Sequence, residues 1–324
     1  MAKLFWTQKQ DIGPSARNRF AMAYDAARQR VVLFGGLPET GQLSNDTWAW
    51  NGEFWTQMAD IGPTARSSPA LGYEADRERI VLQGGFGPAL SGHFADTWEW
   101  DGEEWTQMAD TGPAPREGSA VTFDNKRKRI LLFGGLGANH TSFSDTWTWD
   151  GNDWTQEQDT GPDGRYDHKL AYDTVRDRIV LFGGAYLVGH TVHHTGSPFS
   201  SGYDTTDYTY TALSDSWEWD GKKWTRVCDT GPGPRGGYGM AYNDESVLLF
   251  GGYDGGKVFG DTWEWDGKHW TQIQDIGPSL RTELGVAYDT NRKRTVLFGG
   301  VQLNPVTKFG DTWELFIPTQ KNPS

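Results

Sequence analysis

Wherever the chain is not turning, apolar and polar positions alternate with a period of two, and the alternation comes in copies. The clearest stretch is Asp96-Thr97-Trp98-Glu99-Trp100-Asp101-Gly102-Glu103-Glu104-Trp105-Thr106-Gln107. It returns with few changes at Asp46, Asp145, Asp215 and Asp261, and it starts again at Asp311. Trp98 and Trp100, two residues apart, share one face of a strand. Asp-Gly is a hairpin signal because both residues tolerate positive φ, and Trp105 opens the returning strand. All 17 Trp fall in copies of this hairpin. Each ring buries about 150–250 Å², so tryptophan is expected to form most of the core. No stretch shows the 3.6-residue period of a helix or a long apolar run, so helices and membrane spans are not expected.

Gly-Gly pairs begin at Gly35, Gly84, Gly134, Gly183, Gly251 and Gly299, at spacings of 49, 50, 49, 68 and 48 residues. Each unit reads Gly-Pro-x-x-Arg, then an apolar strand, a basic turn, an aliphatic strand closed by the Gly pair, a variable loop and the Trp hairpin. The four strands, a to d, lie in the first unit near Arg17–Asp25, Arg30–Gly36, Asp46–Trp50 and Phe54–Met58. Both faces of such a sheet are apolar: Met22 and Tyr24 on one, Ala21 and Ala23 on the other. A sheet of this kind must stack between neighbours, as propeller blades do. The ends complement one another. The last hairpin stops at Leu315 without its returning strand, and the chain opens on an orphan returning strand, Phe5-Trp6-Thr7-Gln8. The expected fold is all-β: a single domain over 1–324, a six-bladed β-propeller of four-stranded antiparallel blades. The blades fall at about 17–58, 66–108, 116–157, 165–227, 235–273 and 281–316, and the last is closed by strand 4–9.

The double glycine after an apolar strand, the unit length near the kelch value of about 50 residues and the downstream Trp resemble kelch repeats over essentially the whole chain. The resemblance implies the fold more strongly than any function. Kelch-type relatives include the central domain of galactose oxidase, a sialic acid mutarotase, plant specifier proteins and many protein-interaction modules. The copper-site residues of the galactose oxidase-like relatives cannot be matched here one by one.

Composition adds a few exclusions. A net charge of −13 argues against binding nucleic-acid backbones or anionic membranes. The single cysteine, Cys228, replaces Ala59 and Ala109 of other copies and reads as a small core thiol. Met1–Trp6 lacks a signal-peptide core, which favours a cytoplasmic protein. A monomer is expected.

Strand parity puts every d-to-a and b-to-c loop on one face, and the near-identical tight turns on the other. The variable face is therefore where a ligand or partner is expected. Five of its b-to-c loops are short; the fourth, Ala185–Ser214, has 30 residues, a length that is usually functional or disordered. Its Tyr203, Tyr208 and Tyr210 are expected to form a lid over the channel mouth, unless the segment packs on itself or protrudes as a small hairpin. Arg17, Arg66, Arg116, Arg165, Arg235 and Arg281 open the inner strand of every blade. They either grip a carboxylate, sulfate or acidic peptide around the mouth or pair with acids such as Asp46 and Asp96 in the next blade. Six of seven histidines fall on this face: His93, His140, His168, His190, His193 and His194. Converging imidazoles suit a divalent transition metal, with Asp167, Glu117 or a tyrosine completing the site; exposed loop histidines are the plainer reading. The residues two and three after each arginine depart from one another: Arg19-Phe20, Ser68-Pro69, Gly118-Ser119, Asp167-His168, Gly237-Tyr238 and Glu283-Leu284. All are expected at the channel entrance. Asp167, His168 and Glu283 are the acid–base candidates, and Lys169 replaces the small residue of other blades. The leading expectation is a propeller that binds a small ligand or a protein partner at this mouth. The alternative is a small-molecule oxidase, isomerase or lyase with a histidine-rich site.

Overall fold

In the computed structural model, residues 5–9, 12–88, 91–158, 160–194, 203–274 and 277–316 are described. They form six four-stranded antiparallel blades. Each uses the expected order: in blade 2, Ala70–Glu74, Arg79–Gln83, Thr97–Trp100 and Trp105–Ala109 pair in sequence. Strand a lines the central channel and strand d the rim. Among the described residues the only helical ones are a three-residue turn, Ala138–His140, and no helix is long and apolar enough to cross a membrane.

Closure is as the chain ends imply. Phe5–Gln8 pairs antiparallel with Thr312–Phe316, Trp6 facing Leu315, and so supplies the fourth strand of blade 6. The core lies between blades. Trp50, Trp100 and Trp149 are fully buried, and Trp50 and Trp55 meet at 5.7 Å. The indole of each returning strand also donates across a junction. Trp105 Nε1 reaches Thr47 Oγ1 in the preceding blade at 2.8 Å, Trp6 of the closing strand repeats the contact with Thr262 of blade 5, and Trp55 joins blade 1 to Thr312 of blade 6 at 2.8 Å. A buried indole N–H is thereby satisfied while two blades are joined.

One local expectation is corrected. The Asp-Gly turns are four-residue loops in which only the glycine has positive φ, 108° at Gly102. Asp101 instead accepts the backbone N–H groups of Glu103 and Glu104 through its side chain, an Asx cap that holds aspartate on the ordinary side of φ. The long insertion is a two-stranded hairpin. Ala185–His194 and Tyr203–Ala212 pair from Ala185↔Ala212 out to His194↔Tyr203.

Candidate binding site at the channel mouth

Two concentric sets of residues build the mouth. The deeper set is the six arginines, each at most 2% exposed. Arg66 donates to both carboxylate oxygens of Asp96, at 2.6 and 2.9 Å, and to the Gly84 carbonyl at 2.9 Å. The other five repeat this with Asp46, Asp145, Asp215, Asp261 and Asp311, each at 2.6 Å. Partner choice is thus corrected: each acid belongs to the arginine's own blade, on strand c, not to the next blade. The same aspartates accept a Trp indole, Trp98 on Asp96 at 2.7 Å. Burial pushes the carboxyls of Asp46 and Asp145 up, but the hydrogen bonds and charge of Arg17 and Arg116 outweigh it and leave both below the usual range. With their donors committed inside the blade, these guanidiniums tie strand a to strand c and offer no free fork to a ligand.

The second set stands two residues further along: Arg19, Ser68, Gly118, Asp167, Gly237 and Glu283. All six have left-handed backbones, φ between 49° and 64°. This conformation turns each N–H toward the neighbouring blade, and a closed belt results. Ser68 donates to Arg19 O, Gly118 to Ser68 O, Asp167 to Gly118 O, Gly237 to Asp167 O, Glu283 to Gly237 O and Arg19 to Glu283 O, at 2.6–3.2 Å. Four of the six are not glycine. Strained backbone of that kind is kept where surrounding structure enforces it, often at a functional site. The belt satisfies its own peptides and aims unlike side chains at the channel axis.

Those side chains separate into paired and unpaired. Arg19 Nε donates to Glu283 Oε1 at 3.0 Å, and Asn18 donates to the other Glu283 oxygen. Asp167 makes no hydrogen bond or ion pair with its side chain among the described residues; burial, then the charge of Glu283, pushes its carboxyl up to about 6. Glu117, one residue before the belt, is pushed up to about 7 by burial and then by Asp167. Among the described residues its one ion-pair partner is His93, with Nε2 3.6 Å away. Burial, with His140 nearby, lowers the His93 pKa and so favours the neutral ring.

The hairpin roofs this acidic sector. Tyr208 stacks on His140 at 3.9 Å with the rings 13° apart. Tyr210 meets Tyr166 edge-on at 6.1 Å and Tyr253 at 5.5 Å, and its hydroxyl donates to Tyr253 O at 3.4 Å. A segment from blade 4 therefore reaches loops of blades 3 and 5.

The remaining predicted residues scatter. His168 is fully buried between blades and packs edge-on against Phe133 at 5.5 Å. Burial drives it well below its usual pKa. The position three after each arginine is core, as Phe20, Tyr238 and Leu284 also are, so the expected entrance pair divides and only its first member faces the mouth. His190 is exposed on the hairpin; the side chains of His193, His194 and Tyr203 lie outside the described residues. Among the described residues no three His, Cys, Asp or Glu side chains are grouped to hold a metal ion. Tyr166 and Tyr253 were not singled out by the sequence, although the position after each arginine also varies: Asn18, Ser67, Glu117, Tyr166, Gly236 and Thr282.

No curated protein matches the chain significantly. A family model described as the KLHDC2/KLHL20/DRC7 Kelch-repeats domain matches residues 2–184. With the double-glycine strands, the Trp hairpins and the ring of blades, this match shows that the chain belongs to that family of kelch-repeat propellers.

Proposed function

We propose that this kelch propeller is a binding module that takes a protein or peptide on its variable-loop face and seats a lysine or arginine side chain of that partner in the mouth. One observation carries the reading. Among the described residues Glu117 and Asp167 are neighbouring carboxylates with no cation hydrogen-bonded to either, although Arg19 acts on both electrostatically, beneath a roof of Tyr208 and Tyr210. A guanidinium or ammonium placed there gains charge-assisted hydrogen bonds and aromatic faces to lie against. It also offsets the burial, and after it the neighbouring negative charge, that hold both carboxyls above their ordinary pKa. The net charge of −13 favours approach of cationic partners at long range.

The test is selection from a random peptide display library against the full chain, followed by fluorescence anisotropy with the selected sequences. Enrichment of Lys or Arg is expected. Replacing that residue by norleucine or citrulline, or combining Glu117→Gln with Asp167→Asn, should weaken binding about 10- to 100-fold, the worth of one hydrogen bond to a charged group. Selected peptides that bind undiminished after both neutralisations would remove the mouth from the binding surface.

A further inference from the structure

Four residues beyond the blade-opening arginine, strand a faces the channel. Five blades hold a minimal side chain there: Ala21, Ala70, Ala120, Gly239 and Gly285. The fourth holds Lys169. Two cavities meet at this residue. The first, of 30 Å³, is the throat enclosed by the peptide belt with Arg19, Asp167 and Glu283. Below it a 90 Å³ chamber is lined by the five small residues, aliphatic side chains such as Val121 and Val286, and Lys169. The Lys169 ammonium makes no hydrogen bond or ion pair with any described residue, although Asp167 is close enough to act on it electrostatically. Burial lowers its pKa. A solitary amine in a chamber of small side chains is not required by the repeat, since five copies dispense with it.

An anion is the first ligand to consider for such a lysine, but the carboxylates around it argue against one: Asp167 and Glu283 share the throat with Lys169, and Asp167 already acts on the amine electrostatically. A neutral electrophile meets no such barrier. We propose that Lys169 is a nucleophile that condenses with small neutral aldehydes or ketones inside the channel. The Nζ lone pair attacks the carbonyl carbon, forming the C–N bond while the π pair of C=O takes a proton to give a carbinolamine. That proton comes from nitrogen through water, so the carbinolamine keeps one N–H; its lone pair then forms C=N to Lys169 as the C–O bond breaks and the hydroxyl, protonated by Asp167, departs as water, and the last N–H proton returns to the Asp167 carboxylate. No oxidant or reductant enters. The space beside Lys169 suits a carbonyl compound of a few heavy atoms, since benzene occupies a cavity of about 150 Å³; beyond it the channel widens toward the opposite face into a cavity of 330 Å³. Desolvated lysines beside acid–base groups are the ordinary means to this chemistry.

The test uses propanal and sodium cyanoborohydride on the full chain near pH 7, with peptide mapping by mass spectrometry. Lys169 should be propylated about tenfold or more faster than the exposed Lys222 and Lys223, because burial favours its neutral, nucleophilic form. The adduct should vanish in Lys169→Ala, which restores the residue of three other blades and should fold. Acetate at the same concentration should not protect Lys169, whereas it would if the site took anions. Labelling of Lys169 no faster than Lys222, or protection by acetate, overturns the proposal. Neither result bears on peptide capture at the mouth.

Discussion

The arginine ring and the belt two residues beyond it differ in kind, although the same six strand openings supply both. At the arginine position all six copies agree, and each side chain is buried in a bidentate pair with an aspartate of its own blade. At the belt the backbone is common to all six, but the side chains run from glycine to arginine to glutamate. Sameness in a closed repeat marks what every blade needs to stand up. Difference marks what the ring needs only once: the Arg19–Glu283 pair where blades 1 and 6 meet, and a second sector where Glu117, Asp167 and Lys169 are followed by the tyrosines of the insertion.

The comparison breaks most sharply at neighbours in sequence, Arg116 and Glu117. Arg116→Ala leaves the half-buried Asp145 without its cation. Removing one member of a buried pair costs about 3–5 kcal/mol, and the Phe143 ring loses the guanidinium lying 4.0 Å above it. Chemical denaturation should show that loss. A change below about 1 kcal/mol would mean that the ring is not the scaffold and that its arginines are available to ligands.

Glu117→Gln should act the other way. Burial raises the carboxyl in the folded protein to about 7 from an ordinary 4.5. The native state therefore binds this proton more tightly than the unfolded chain does, and stability falls as pH rises from about 4.5 through 7. Asp167, raised to about 6 from 3.8, adds the same sign over a lower window. At pH 8 the glutamine variant should be more stable than the parent by about 1–3 kcal/mol, and at pH 4 the two should coincide. Equal stability at both pH values would mean that Glu117 has found a compensating partner, and the mouth would lose its unmatched charge.

The scaffold was legible because its signals recur: six Gly pairs and the Trp hairpins give the blade number, and the orphan returning strand Phe5–Gln8 complements the hairpin that stops at Leu315. Side-chain partners were less so. Strand order alone does not say whether Arg17 meets Asp46 of its own blade or an acid of its neighbour, since both are near the mouth; the distance along the sheet decides it. His168 was misplaced at the entrance because one residue of register turns a side chain from channel to core. The large apolar Phe20, Tyr238 and Leu284 at its equivalent positions were the available clue. The insertion left no repeat to compare with. Its Thr- and Gly-rich composition did not announce two ten-residue strands, and its docking depends on tyrosines meeting loops of blades 3 and 5.

That docking gives the finest contrast between the two regions. Tyr208 is 43% exposed, yet lies flat on His140. Stacked aromatic pairs contribute about 0.5–1.5 kcal/mol beyond area burial, and on a two-stranded hairpin little of this is felt by the ring. Tyr208→Ala should therefore shift global unfolding by less than about 1 kcal/mol. The hairpin itself should loosen, seen as faster amide exchange at the backbone of Thr206 and Tyr208 with the belt amides unchanged. Peptides selected on the parent should then bind more weakly, because the roof over Glu117 and Asp167 is no longer held in place. If exchange rises while affinity stays constant, the hairpin is a bystander and the acidic sector works uncovered. If exchange does not change, Tyr210 alone, wedged between Tyr166 and Tyr253, holds the hairpin, and the same experiment on Tyr210→Ala should show the effect instead.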